Sequence, residues 1–186
     1  MLNKEQIEKN KQKLLDTSDK YDVLTPELLK FLGDDFFVSP ASTTLDMYGA
    51  YPGGLLEHIF IASKYAVKVN SILPETLQQP LDSILKCTIL SQIGKTFLFK
   101  PNESEWHRNK LGKMYEFNDE LVSMRVGERS AYYCSTYGVS LTEEEYQTIV
   151  NSDKGDDDLQ SKYHSTPLAQ IVKQGFELAI FEQKHG

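Results

Sequence analysis

Apolar residues recur every three to four positions along most of this chain, and helix-start and helix-stop residues separate the segments. From about residue 3 to 16, Ile7, Leu14 and Leu15 sit among charges and predict a weakly amphipathic helix. Thr25-Pro26-Glu27 sets an N-cap hydroxyl before a proline at the first helical position, and Gly33 is a natural stop. Residues 34–51 hold Pro40, several Ser and Thr residues and Gly49, and are expected to form a long irregular connection. Pro52-Gly53-Gly54 launches a helix over about 55–71, whose apolar positions Leu55, Leu56, Ile59, Phe60, Ala62, Ala66 and Val67 follow helical spacing.

Pro74 and Pro80 bracket a short turn, and the apolar run 81–90 predicts a buried helix that ends near Gly94. Residues 100–118 are polar, with Pro101, Trp106 and Gly112, and are expected to form a loop with a short two-stranded ribbon around 113–117. A helix over about 120–137 follows Asn118-Asp119. Thr142-Glu143-Glu144-Glu145 is a capping box that opens a short helix to Val150, residues 151–160 are an acidic loop, and Thr166-Pro167 starts a last helix to about Gln183. Strand-like alternation of useful length and internal repeats are both lacking. The expected fold is all-α, a single domain over 1–186 with about seven helices around one core.

Composition changes this picture little. The chain of 186 residues is long enough for one substantial core. No apolar run approaches the length of a membrane span, and the polar start, Met1 to Lys13, has no apolar signal segment, so a cytoplasmic protein is expected. Cys87 and Cys134 lie among apolar or aromatic neighbours and are expected to be reduced, packed thiols. Lys and Arg number 20 against 27 Asp and Glu, a formal charge of −7. The densest basic stretch, Lys4 to Lys13, is interleaved with Glu5 and Glu8, which disfavours nucleic acid as a partner.

Five segments carry candidate chemistry. These are Tyr51-x-Gly53-Gly54-Leu55-x-x-His58; Ile89-Leu90-Ser91-Gln92-Ile93-Gly94-Lys95; Val126-Gly127-Glu128-Arg129-Ser130; Glu144 to Ile149 leading to Asn151-Ser152; and Leu168 to Ala179. In order and spacing they resemble the HD-domain superfamily of metal-dependent phosphohydrolases. The resemblance makes 51–183 an HD-like core and 1–50 an N-terminal helical extension and loop. It also extends to acidic HD-like proteins of tailed phages.

Members of that family use imidazoles and carboxylates to hold one or two divalent ions in a cleft between helices. The metal lowers the pKa of a bound water and neutralises phosphoryl charge. Of the ligand positions that the resemblance implies, only His58 carries a ligand-type residue. Ser91 and Gln92 stand at the His-Asp pair, Val126 and Ser152 at later histidines, and Phe176 at the last aspartate. A slip of one residue would bring Glu177 there instead, but Leu168, Val172, Phe176 and Ala179 form one helical stripe that faces Phe176 inward.

The candidate residues of a vestigial pocket are therefore His58, Gln92, Lys95, Glu128 and Arg129. His58, Lys95, Glu128 and Arg129 each have a plainer reading. His58 is then a core histidine hydrogen-bonded to a neighbour, and Glu57 beside it points elsewhere and is exposed. Lys95 is either a phosphate-binding cation, as the resemblance implies, or a cation near the C-terminal end of an apolar helix. Glu128, Arg129 and Ser130 either line the pocket or cap and bridge helices. A rebuilt metal site would draw on His107, His164 or His185 with Asp153, Asp156, Asp157 and Asp158. His107 in a polar loop and His185 in the C-terminal tail read more simply as surface residues, and run 153–158 lacks the pattern of a calcium loop.

The leading expectation is a catalytically degenerate HD-domain protein that binds a protein or a small phosphorylated ligand and has no cofactor. One alternative is a phosphohydrolase acting on nucleotides or phosphate esters with Mn, Fe or Mg on atypical ligands. Another is a homo-oligomeric, virion-related structural component.

Overall fold

In the computed structural model, which describes residues 2–154 and 165–186, the chain is mostly helical with one short two-stranded sheet. Nine α-helices occur among the described residues: α1 (Lys4–Tyr21), α2 (Pro26–Leu32), α3 (Asp35–Val38), α4 (Gly54–Ile72), α5 (Leu81–Leu90), α6 (Glu105–Leu111), α7 (Val126–Thr136), α8 (Glu143–Asn151) and α9 (Pro167–His185). Single 3₁₀ turns occupy Glu75–Leu77 and Ile93–Lys95. Strands β1 (Phe99–Pro101) and β2 (Tyr115–Phe117) pair antiparallel, with Phe99 opposite Phe117 and Lys100 opposite Glu116.

The caps expected from the sequence are made. The hydroxyls of Thr25, Thr142 and Thr166 accept from the backbone N–H of Leu28, Glu145 and Ala169, respectively. Each such cap satisfies one of the donors a helix start leaves open. Thr25 also donates to the Tyr137 carbonyl at 2.7 Å, which ties the start of α2 to the end of α7.

The helix count exceeds the seven expected because short elements were not visible as periodic segments. Region 100–118 is more than a loop and ribbon: it contains α6, started by the Ser104 hydroxyl and stopped by Gly112 at φ 60°. The connection 34–51 contains α3. The first helix runs on to Tyr21 rather than residue 16, because Leu14 and Ser18 carry its buried face onward. The helix expected from residue 120 starts only at Val126. Asn118 instead forms a local turn, its side chain accepting from the Glu120 N–H at 3.2 Å, and Val122 is exposed.

The core is a continuous cluster that includes Leu14, Leu28, Leu32, Phe36, Leu55, Leu56, Ile59, Ile84, Leu90, Ile93 and Ile149, all fully buried. Helices α4 and α9 pack most closely. A Cβ on Gly175 would lie 2.7 Å from the Ala62 carbonyl oxygen and 2.8 Å from the Ala66 Cβ, so only glycine allows this approach. The joint between the Ile93–Lys95 turn and α7 is as tight, since a Cβ on Gly94 would lie 2.5 Å from the Val126 carbonyl oxygen. Both cysteines are buried and free. Among the described residues, no helix is long and apolar enough to cross a membrane.

Candidate functional site

His58 lies in the second turn of α4, and its face of the helix turns toward α9. The side chain is 1% exposed. Its Nδ1 donates to Gln183 Oε1 on α9 at 2.7 Å, and its ring packs against Tyr48 (centroids 4.4 Å apart) and Phe176 (5.5 Å). Burial pushes the imidazole pKa down to about 3. The positive charge of Lys95 acts in the same direction, and the Gln183 bond opposes both. At neutral pH His58 is uncharged.

Lys95 ends the 3₁₀ turn that follows α5 and is also buried, at 8% exposure. Its Nζ donates to the Ala41 carbonyl at 3.1 Å, lies 3.5 Å from the Tyr48 hydroxyl and sits 5.3 Å from the Tyr48 ring centroid. Among the described residues it forms no ion pair. Tyr48 thus contacts both the imidazole and the ammonium, and its ring face favours the cation.

The pair Ser91-Gln92 serves the helix joint. Ser91 is fully buried, its hydroxyl donating back to the Cys87 carbonyl at 2.6 Å and its carbonyl accepting from the Ser130 hydroxyl at 3.0 Å. Ser130 in turn accepts from the Gly94 N–H at 2.9 Å. Gln92 is 5% exposed, and its Oε1 is buried with no hydrogen-bond partner.

Glu128 and Arg129 belong to the start of α7. Glu128 forms the capping box with the Arg125 N–H, and Arg129 is buried and donates to the Val122 carbonyl while its Nε has no partner. Asp153 completes this helix start by accepting from the N–H groups of Val126 (2.9 Å) and Gly127 (3.3 Å). No hydrogen bond among the described residues links Gln92, Glu128 or Arg129 to His58. The structure therefore brings His58, Lys95 and Phe176 into one packed cluster and places Glu128 and Arg129 in a helix cap.

Phe176 faces inward, at 6% exposure, whereas Glu177 is exposed and bonded to Gln174 at 2.9 Å. Ser152 caps the end of α8 by donating to the Ile149 carbonyl. His107 is half-buried in α6, and His185 lies in the last turn of α9 rather than in a tail. Asp156, Asp157, Asp158 and His164 lie outside the described residues. Glu57 differs from expectation: it is half-buried, and its carboxylate accepts from the Tyr51 hydroxyl. The pair raises the Tyr51 pKa, through burial first and the carboxylate second.

Beside this cluster, Tyr51, Glu57, Ile61, Glu182 and Gln183 line an open cleft of about 450 Å³. Glu182 accepts from the Tyr65 hydroxyl, and Lys64 lies 3.7 Å from it. Gln183, which connects the cleft to His58, sits two helical turns beyond Phe176 on the same face of α9. That spacing was the available sequence signal for it. Tyr48 and Ala41 come from the irregular connection and had no comparable signal.

The ion that the resemblance implies does not fit these residues. Among the described residues no group of three His, Cys, Asp or Glu side chains is placed to hold a metal. One imidazole defines no coordination geometry, a ring occupies the space next to it, and the nearby ammonium opposes a second cation. In comparisons with protein-family models, curated proteins and solved structures, nothing matches this chain.

Proposed function

We propose that this protein is a binding module on a degenerate HD-type scaffold, recognising a protein or a small ligand without metal chemistry. The observation that carries the reading is the Lys95 ammonium. It is buried, bonded to the Ala41 carbonyl and packed on Tyr48 beside the neutral His58, whose imidazole also packs against the Phe176 ring. A catalytic divalent ion would have to displace a positive charge and an aromatic side chain, and would meet one neutral ligand in return. A metal-activated water then has no support from this chain's own residues.

The HD ancestry rests on the order and spacing of the five motif segments. The binding role is supported by the open cleft lined by Tyr51, Glu57 and Glu182 next to the closed cluster. A scaffold keeps such surfaces after its chemistry is gone, because fold and site are separable.

The test is phosphate release from nucleoside triphosphates and p-nitrophenyl phosphate in the presence of Mn²⁺, Fe²⁺ or Mg²⁺. The wild type and His58→Gln are expected to match the protein-free background. Metal-dependent release by the wild type that His58→Gln abolishes would overturn the proposal.

A further inference from the structure

A second concavity lies on the opposite side of α4. Phe60 is two residues from His58, which turns it about 200° around the helix axis. With Val67 of α4, Leu85 and Ile89 of α5, and Tyr21 of α1, it lines a groove of about 440 Å³. The two hydroxyls in its lining are already satisfied: Ser63 donates to the Ile59 carbonyl at 2.8 Å and lies 2.8 Å from the Thr88 hydroxyl, and Thr17 donates to the Lys13 carbonyl at 2.8 Å. The floor therefore offers apolar contact and little demand for hydrogen bonds.

The rim is different. Lys13, Lys64 and Lys68 stand around the groove, although the chain as a whole carries a formal charge of −7. Lys13 Nζ lies 4.4 Å above the Phe60 ring centroid, and Lys64 and Lys68 lie 5.3 and 5.8 Å from that of Tyr65. Lys64 is partly offset by Glu182, at 3.7 Å. Neither Lys13 nor Lys68 forms an ion pair among the described residues. Asp16, the acid on the neighbouring face of α1, accepts from the Gln12 amide.

We infer that this groove binds a single-chain anionic amphiphile, a medium- to long-chain carboxylate with its head beside Lys13 at the Phe60 end and its tail on the Val67–Leu85–Ile89 floor. Phe60 and Val67 are seven residues apart, about 10 Å along the helix, which suits an alkyl chain. The volume lies in the range of small-molecule sites, about 300–1,000 Å³. A protein partner would need roughly 1,000 Å² of interface or more, well beyond this groove. The groove is concave and its lining residues Ser63 and Ile89 are buried, so a flat bilayer surface does not reach them and the free amphiphile is the occupant. This inference is independent of the reading of the His58 cluster.

The test is calorimetric titration of the full chain with dodecanoate below its micelle concentration, alongside octanoate, acetate and dodecyltrimethylammonium. Dodecanoate is expected to saturate one site, with affinity rising roughly fourfold per added methylene from octanoate. Acetate should give no binding, and the cationic amphiphile should bind at least tenfold more weakly. Lys13→Gln with Lys68→Gln, both exposed, should weaken dodecanoate several-fold without altering the fold by circular dichroism. Val67→Trp should abolish binding by filling the groove. The inference is overturned if dodecanoate does not saturate, if the cationic amphiphile binds equally well, if the lysine variants bind as the wild type does, or if only phosphatidylglycerol vesicles are bound.

Discussion

The Lys95 ammonium and the His58 imidazole share one aromatic neighbour: Tyr48 lies 4.4 Å from the histidine ring and 5.3 Å from Lys95 Nζ, measured to ring centroids. In a metal centre the ion is the positive charge among its ligands; here a side-chain ammonium already supplies that charge beside the single imidazole, and it repels a second cation. The arrangement has consequences for stability and titration that can be measured without knowing any ligand.

The first concerns pH. The His58 pKa is lowered from 6.5 to about 3 in the folded protein, by burial and then by Lys95. As pH falls below about 6.5 the unfolded chain takes up this proton and the folded chain does not. Stability from this group is therefore full above about 6.5 and lost progressively down to about 3. Between pH 6.5 and 5 the loss is roughly 1.5 kcal/mol. Urea unfolding at several pH values should show this slope in the wild type, and a smaller slope in His58→Gln. Equal slopes would mean that His58 titrates normally.

Lys95→Met removes the buried charge and keeps much of the volume. Its stability is expected to be within about 1 kcal/mol of wild type or higher, because an unpaired buried ion is costly to desolvate. The His58 pKa should rise, since one cause of its depression is gone, and NMR titration of the ring protons would follow it. An unchanged midpoint would separate the two residues electrostatically.

Gly175→Ala tests the α4–α9 approach. The added methyl meets the Ala62 carbonyl oxygen at 2.7 Å, so the helices must separate. Overpacking of this kind costs about 1–3 kcal/mol, against a gain of up to about 1 kcal/mol from helix propensity. A net loss of about 1 kcal/mol or more is expected in urea unfolding. A stabilised variant would show that the crossing has slack.

Cys87 and Cys134 are predicted to be inert in the native state. Burial raises both thiol pKa values, to about 12 for Cys134, and thiolate is the reactive form. A chromogenic disulfide reagent should titrate neither cysteine in buffer and both in urea. Fast labelling of the folded protein would contradict this.

Legibility in the sequence followed the strength of local signals. Thr25, Thr142 and Thr166 marked helix starts because a cap needs only neighbouring residues. Helix α6 was not legible: Trp106 and Leu111 are exposed, so it shows no apolar stripe to give the period. In the site, Phe176 was readable as inward-facing from its stripe on α9. The placement of Tyr48 and Ala41 was not, because it depends on tertiary contacts in the connection. There Gly49, at φ 61°, accepts from the Ala41 N–H and lets Gly54 pack directly on its backbone. The side chains that surround Lys95 are thus set by a fold that no local pattern announces.

Whether the His58 cluster holds a catalytic ion is decided by metal stoichiometry. The purified protein would be incubated with Mn²⁺ or Fe²⁺, freed of unbound ion by gel filtration, and assayed by plasma mass spectrometry. Well under one equivalent is expected, unchanged in His58→Gln. One or two tightly held equivalents in the wild type, lost in His58→Gln, would contradict it.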